Sequence, residues 1–403
     1  MMKILQINKF FYLKGGSERY LFELSDMLEK NGHTVIPFAM DDPKNEPTRF
    51  KNYFVDPVDL EKFSLKNIFK MFYNYDAVRQ LERLIKQECP DVAHLHNIAY
   101  QLTPAIIKVL KKHHIPVVQT LHDYKLICPN YQLYNRGKIC THCQGGKYYR
   151  CAMGRCVKNS FAKSFLAMLE AYFNETKNNL VDTFIAPSLY MQKTCVDFGI
   201  PEEKIKHLVY PIDPEKFKNT NSASAKDGCL LYFGRLSGEK GLDRLIEAMS
   251  LISESICLNI VGDGPEREFL MKLVEKNNLS GRVKFSGAKS GLELLKIISE
   301  AKAVVIPSVW PENMPLSLLE SMAMAKVVLV SNIGGMPERI IDGENGFIFR
   351  SGDARDLAAK IEALKNYDLI RIGEKARASV AEFDPRNHYE QIMEIYRNLI
   401  GRR

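Results

Sequence analysis

Short apolar runs alternate with amphipathic stretches along almost the whole chain. In the first half, runs at 3–8, 34–39, 92–96, 116–121, 183–186 and 205–209 have the length and apolar content of buried strands. Between them, 17–31, 67–88, 103–113, 161–174 and 189–198 read as helices, with apolar residues spaced as Leu21, Leu24 and Leu28 are in the first. The 67–88 helix should close before Pro90, because the residue ahead of a proline avoids the helical region. Tyr210-Pro-Ile-Asp-Pro and the polar stretch 219–227 read as a linker. Beyond it the alternation restarts, with strands expected at 229–233, 257–261, 283–285, 303–306, 327–331 and 346–349. Helices are expected at 241–250, 266–277, 292–301, 316–324, 336–342, 354–365 and 386–400. This pattern predicts βαβ units and parallel sheets, hence an α/β chain of two domains at 1–209 and 210–385 with a last helix over 386–403.

Composition narrows the class. Of 403 residues, 46% are hydrophobic and 26% charged, which excludes wholesale disorder, collagen and a coiled-coil rod. No apolar run reaches the roughly 18 residues of a spanning helix, and the start lacks a signal-cleavage pattern. A cytoplasmic location is therefore expected, peripheral on the inner membrane face if the basic region described next meets lipid.

Charge is unevenly placed. Lys and Arg total 56 and Asp and Glu 48, a net charge of +8. From 124 to 169 there is no acid, yet Lys125, Arg136, Lys138, Lys147, Arg150, Arg155, Lys158 and Lys163 fall there. Such a region suits an anionic partner (phosphate, lipid headgroup or nucleic acid), and a solvated basic face is the plain alternative. The same stretch holds Cys128, Cys140, Cys143, Cys151 and Cys156, five of the nine cysteines. A C-x2-C pair beside further cysteines is compatible with a structural zinc site, with reduced thiols, or with disulfides in an oxidising compartment. Cys229 and Cys257 lie in strand-like runs and read as small core residues.

In open α/β sheets, ligands bind where strands end and helices begin. Gly15-Gly16-Ser17-Glu18 follows the first strand, and Ser17 suits a helix N-cap. Gly234-Arg235-Leu-Ser-Gly-Glu-Lys240-Gly241 offers two cations at a turn, without the spacing of a P-loop. Val261-Gly-Asp-Gly-Pro lacks the third glycine of a dinucleotide fingerprint, since Arg267 takes that place. In Pro311-Glu312-Asn313-Met314-Pro315-Leu316, the proline sits at a helix start and leaves amides of Asn313, Met314 and Leu316 for an anion. Glu320 follows further along that helix.

In this order, Gly234-Arg-Leu, Lys240-Gly241, Val-Gly-Asp-Gly-Pro, Phe285-Ser-Gly, Pro307-Ser, Glu312-x7-Glu320, Gly334-Gly-Met-Pro-Glu338 and Asp342-Gly-Glu-Asn-Gly346 resemble retaining glycosyltransferases of family 4. Gly15-Gly16-Ser17-Glu18 and Leu121-His122-Asp123 look like that family's N-terminal signatures. The resemblance implies a GT-B fold, with two Rossmann-like domains facing across a cleft and the last helix returning to the N-terminal domain. It implies transfer of a sugar from a nucleotide-diphosphate sugar to a saccharide or lipid-linked glycan, as in cell-surface polysaccharide assembly. Arg235, Lys240 and the amides of Asn313, Met314 and Leu316 would take the diphosphate; Glu320 would take the ribose and Glu312 the donor sugar. Gly16 would approach the phosphates by its backbone, Ala288 and Lys289 would line the base pocket, and His122 would lie by the transferred sugar and acceptor. No metal would be required for catalysis. Arg235, Lys240 and the amides would stabilise the charge growing on the leaving diphosphate. Asp123 is a candidate base or a simple cap.

The basic, Cys-rich insert at about 124–160 departs from the family pattern. It should hang over the acceptor side, where its cations and interleaved tyrosines suit an anionic membrane surface or a lipid-linked acceptor. The helix from Phe161 would lie on that surface or be an ordinary core helix. A sugar-nucleotide epimerase and a metal-stabilised nucleic-acid module are the other classes; the ordered donor motifs weigh against both, and no nucleic-acid partner is expected.

Overall fold

A computed structural model describes residues 1–59, 64–217 and 228–401; the 219–227 linker expectation lies outside them. The strands are β1 (Lys3–Ile7), β2 (Thr34–Phe38), β3 (Val92–Leu95), β4 (Val117–Thr120), β5 (Tyr134–Asn135), β6 (Lys138–Ile139), β7 (Thr183–Ala186) and β8 (Ile205–His207). They continue as β9 (Leu230–Phe233), β10 (Leu258–Val261), β11 (Val283–Gly287), β12 (Ala303–Ile306), β13 (Val328–Ser331) and β14 (Phe347–Phe349). One six-stranded sheet runs β2-β1-β3-β4-β7-β8 and another β11-β10-β9-β12-β13-β14, with β5-β6 a small ribbon. All pairings within the two large sheets are parallel. The parallel arrangement explains the near-continuous apolar strands: with helices on both faces every side chain is covered, as in β12, buried throughout.

The chain divides into two compact units. The first comprises Met1–Asn135, Cys140–Val209 and the closing helix Pro385–Ile400 from Arg386 onward; the second comprises Arg136–Ile139 and Tyr210–Pro385. In the first, the closing helix is tied by His388 to Val209 O at 3.0 Å and to Tyr20 Oη at 3.0 Å, and by Tyr396 Oη to His94 at 2.6 Å. The second unit's core is formed by Leu230, Leu245, Ile260, Val305, Leu329, Phe347 and their neighbours.

Some expectations need correction. The 67–88 helix is two helices, Leu65–Phe72 and Tyr75–Glu88. Asn74 breaks it: its fully buried side chain accepts from the amides of Asp76 (3.1 Å) and Ala77 (3.3 Å), which starts a new helix. Helix Leu369–Ser379 went unread; Asp368 caps it, and Gly373 lets it lie where a Cβ would fall 2.0 Å from Ala325 O. Only a 3-10 turn, Met336–Arg339, occupies the expected 336–342 helix. Cys229 and Cys257 are not simple core residues but form a disulfide. The register pairs Leu230 with Leu258 on neighbouring strands, so the residue ahead of each meets its counterpart, Cα to Cα 4.7 Å.

Each large sheet has a place where strand order reverses, between β1 and β3 in the first and between β9 and β12 in the second. Loops leaving those strands diverge and open a crevice at the sheet's C-terminal end. Lys240 and Glu312 stand on loops leaving the strands of the second reversal, and Gly16 follows the first strand of the first.

Candidate active site

In the second unit, close backbone packing builds the crevice. Gly262 has φ +141°, and a Cβ there would fall 1.8 Å from Gly234 O. Gly241 has φ +67°, and a Cβ would fall 2.1 Å from Pro307 O. Glycine at 262 lets the loop leaving β10 close on Gly234, and glycine at 241 lets the turn holding Lys240 sit directly against the loop leaving β12.

Glu312 is the centre of that loop. Lys240 Nζ lies 2.6 Å from its Oε1, and Ser308 Oγ donates to the same oxygen at 2.6 Å. The Glu312 side chain is 7% exposed and that of Lys240 23%. Ser308 is itself held, since Ser331 Oγ donates to its carbonyl at 2.6 Å. Gly335 N–H donates to Glu312 O at 2.8 Å, and the Lys240 ammonium stands 5.5 Å from the Trp310 ring centre. Asn313 and Met314 are buried just beyond. Pro315, extended, precedes helix Leu316–Ala323, whose opening bond runs from Leu318 N–H to Pro315 O at 3.0 Å. The amides of Leu316 and Ser317 therefore precede that bond, at the positive end of the helix dipole. Glu320 is buried on the second turn.

Arg235 stands exposed beside this group, its carbonyl accepting from Tyr232 Oη at 2.7 Å. Burial first, then the carboxylates of Glu312 and Glu239, raise the Tyr232 pKa and keep it a neutral donor. Thus Lys240, Glu312, Asn313, Met314 and Leu316 come together, with Arg235 and Glu320 on the flanking turn and helix. Ala288 and Lys289 stand apart, after β11, where Lys289 pairs with Glu293 at 2.6 Å. Trp310 was not foreseen, and Ser308 stood in the Pro307-Ser motif without an assigned role.

In the first unit, a line of histidines runs through the sheet. His122 Nε2 lies 2.9 Å from His96 Nδ1, and His96 Nε2 lies 2.7 Å from Gln6 Oε1. His94 bonds Thr120 Oγ1 at 2.7 Å and Tyr396 Oη at 2.6 Å. The His94 and His96 rings stack at 4.7 Å, those of His96 and His122 at 5.2 Å. Desolvation by burial lowers the pKa of His122 and His94 to about 3 and that of His388 to about 4, and holds His96 well below 6.5. All four are neutral near pH 7. Gln6 Oε1 can only accept, so His96 carries its proton on Nε2 and offers Nδ1 to His122. His122 then holds its proton on Nε2, facing His96.

His122 lines a cavity of about 60 Å³ with Lys9, Asn97, Asp123 and Lys125. Asp123 closes a turn, its Oδ1 accepting from the Lys125 amide at 2.8 Å. Gly16 opens helix Gly16–Lys30 and is exposed. The expected Ser17 cap is not formed: Gly15 is the N-cap, and Ser17 lies within the helix. Glu18, buried, accepts from Asn8 Nδ2 at 3.1 Å. Sequence reasoning missed Gln6, Asn8 and His96, and gave Glu18 no role beyond its place in the Gly15-Gly16-Ser17-Glu18 motif. The usable signal was polar residues in strands otherwise wholly buried.

The insert's cysteines form a thiol cluster. Cys128 donates to Asn130 Oδ1 at 2.9 Å, Asn135 Nδ2 donates to Cys156 Sγ at 3.4 Å, and Cys151 is hydrogen-bonded to Cys156. Cys143 and Cys151 pack with Tyr148 and Met168, while Cys140 is half-buried. Burial raises Cys128 to about 11 and Cys143 to about 12, which favours thiols over thiolates. Among the described residues no group of three or more His, Cys, Asp or Glu is disposed to hold a metal ion. Cys128, Cys140, Cys143, Cys151 and Cys156, the expected zinc set, lie close enough that Cys128, Cys143 and Cys151 each feel the charge of neighbouring thiols.

Comparison with known proteins adds relationship to geometry. Residues 14–216 match Glycosyltransferase Family 4, and residues 213–381 match Glycosyl transferases group 1. An uncharacterized glycosyltransferase, MJ1607, of Methanocaldococcus jannaschii is 28% identical over 82% of this chain and 80% of its own length. The amylovoran biosynthesis glycosyltransferase AmsK of Erwinia amylovora is 30% identical over 52% of this chain and 54% of its own. The crystal structure of Anabaena Alr3699/HepE in complex with UDP and glucose has a TM-score of 0.71 at 19% identity, over 99% of this chain and 100% of that one. That likeness carries the GT-B fold.

Proposed function

This chain belongs to glycosyltransferase family 4, and we propose that it moves a sugar from a nucleoside diphosphate sugar to a saccharide or lipid-linked glycan, with the anomeric configuration retained. Glycosyl transfer comes with the family; the acceptor, the stereochemistry and the residue roles are our reading. The observation that carries it is the Glu312 carboxylate, buried and gripped by Lys240 and Ser308 at the foot of the Pro315-started helix. Polysaccharide assembly is supported by the name of AmsK, and a uridine nucleotide by the ligands of HepE.

Breaking the anomeric C–O bond leaves negative charge on the departing diphosphate. Arg235, Lys240 and the amides at the start of helix Leu316–Ala323 would stabilise that charge and need no rearrangement to do so. The charge is met by protein cations and N–H groups, and this reading assigns no catalytic metal. Lys240 is already neutralised by Glu312. A diphosphate would share that ammonium and leave Glu312 able to accept from a sugar hydroxyl. Glu320 would accept from the ribose, and Ala288 and Lys289 would flank the base. In the first unit, Gly16 would offer its backbone to an anion, and the neutral His122 would orient a sugar or acceptor hydroxyl.

The test is turnover with a panel of nucleotide sugars, reading the anomeric configuration of the released or transferred sugar by NMR before it equilibrates. Retention supports the reading; an inverted product contradicts it.

A further inference from the structure

Helix Phe161–Asn178 is oriented against the usual rule for a surface helix. Its inward residues include Ser164, Glu170, Asn174 and Lys177. Phe161, Phe165, Leu169, Tyr172 and Phe173 face outward, Phe161 at 56% exposure. Their spacing puts them on one side of the helix. The inward polar groups are all satisfied, so the orientation is fixed. Lys125 Nζ meets Glu170 at 2.6 Å, Asn174 Nδ2 donates to Glu170 at 2.9 Å, and Ser164 Oγ donates to Ser160 O at 2.7 Å. Lys177 Nζ donates to Phe173 O at 2.6 Å.

Neighbouring elements extend the apolar row. Helix Tyr149–Met153 packs alongside, with the Tyr148 ring 5.0 Å from Tyr172, and adds Tyr149 and Met153, the latter 74% exposed. On the other side Phe72 meets Phe173 at 5.9 Å, and its helix Leu65–Phe72 adds Phe69, 73% exposed. The same insert and helix carry the exposed cations Lys147, Arg150, Arg155, Lys158 and Lys163, of which Lys147 and Arg150 share a surface hollow with Asp197. The stretch 124–169 contains no acid to offset them.

We propose that this face of the first unit docks on an anionic lipid bilayer, its aromatic row entering the headgroup layer and its five cations meeting lipid phosphates. Aromatic and apolar side chains backed by Lys and Arg are the composition of helices that lie in the interface plane. Among the described residues no helix is long and apolar enough to cross the membrane, so the face rests on lipid without spanning it. Charge argues against a second copy as occupant: a two-fold contact would set these cations against their own equivalents. The inference stands on this surface alone and does not depend on the donor reading.

The full chain is sedimented with vesicles of phosphatidylcholine and of phosphatidylcholine mixed with phosphatidylglycerol. It should bind the mixed vesicles and bind neutral ones far less. Phe161→Ser with Phe165→Ser and Leu169→Ser should weaken binding more than about tenfold, as should Arg150→Gln with Arg155→Gln, Lys158→Gln and Lys163→Gln. Both variants alter exposed residues and should unfold at the wild-type temperature. Failure of the wild type to bind mixed vesicles overturns the proposal, and so does unchanged binding by the serine variant. A lipid-free dimer that the serine variant dissolves would assign the face to a second copy and equally overturn it.

Discussion

The two units solve the same problem, six parallel strands with chemistry at their ends, by opposite placement of polar groups. The second builds its core mainly from apolar residues, with Ser331 a buried exception, and sets Lys240, Ser308 and Glu312 on the loops beyond β9 and β12. The first threads polar side chains through the sheet: Gln6, His94, His96 and Thr120 are all buried. All nine histidines belong to the first unit or its closing helix, and none lies in the second. One site is thus fixed by backbone packing and loop length, the other by a relay of hydrogen bonds whose direction sets a tautomer. The first kind resists pH and fails when a glycine gains a side chain. The second tolerates backbone change better and fails when a proton is added.

Variants can break this contrast, and the single Trp, Trp310, makes the second unit separately visible by fluorescence. Gly241→Ala should have the largest effect. Its Cβ would fall 2.1 Å from Pro307 O at a positive φ, and a loss of about 4 kcal/mol or more is expected in the Trp310 transition. Lys125→Met comes next. It strands the Glu170 carboxylate, whose side chain is 2% exposed, and should cost the first unit about 3–5 kcal/mol. Hydrogen exchange of helix Phe161–Asn178 should rise while the Trp310 transition stays put.

Acid should separate the units further. His94 and His122 titrate at about 3 and His388 at about 4 in the folded chain, all below the ordinary 6.5. Between those values and 6.5 the unfolded chain binds more protons, so stability is lost as pH falls below about 6.5. Each histidine should contribute about 1.4 kcal/mol per pH unit, in the first unit's transition only. Gln6→Leu is the smallest change. It leaves the buried His96 Nε2–H without its acceptor and should cost about 1 kcal/mol. By allowing the other His96 tautomer, it should also alter the pH profile of turnover.

This contrast also governs what the sequence made legible. The strand 303–306 was readable to the residue because it is an unbroken apolar run buried on both faces. Lys240, Glu312 and the Pro315-started helix were readable because close backbone approach demands glycine and proline, which stand out in a sequence. The His122–His96–Gln6 relay was not, since hydrogen bonds between adjacent strands depend on register, which single residues do not announce. Asn74 hid its break because the apolar period continues across it. Helix Leu369–Ser379 was missed because Gly373, a weak helix former, serves close packing there. Nothing in the spacing of Cys229 and Cys257 foretold a bond that adjacent strands create. The outward face of helix Phe161–Asn178 read as core or lipid contact until its polar residues were seen to be the buried ones.

The most direct test of the central claim is nucleotide binding by the second unit's loops. UDP, GDP, ADP, CDP and dTDP are compared by thermal shift on the wild type and on Arg235→Ala and Glu320→Ala. At about 100 times its dissociation constant, a bound nucleotide adds about 2.7 kcal/mol. The account predicts one clear responder among the five, lost in both variants with their unliganded unfolding unchanged. Retained affinity in both variants, or no responder at all, would contradict it.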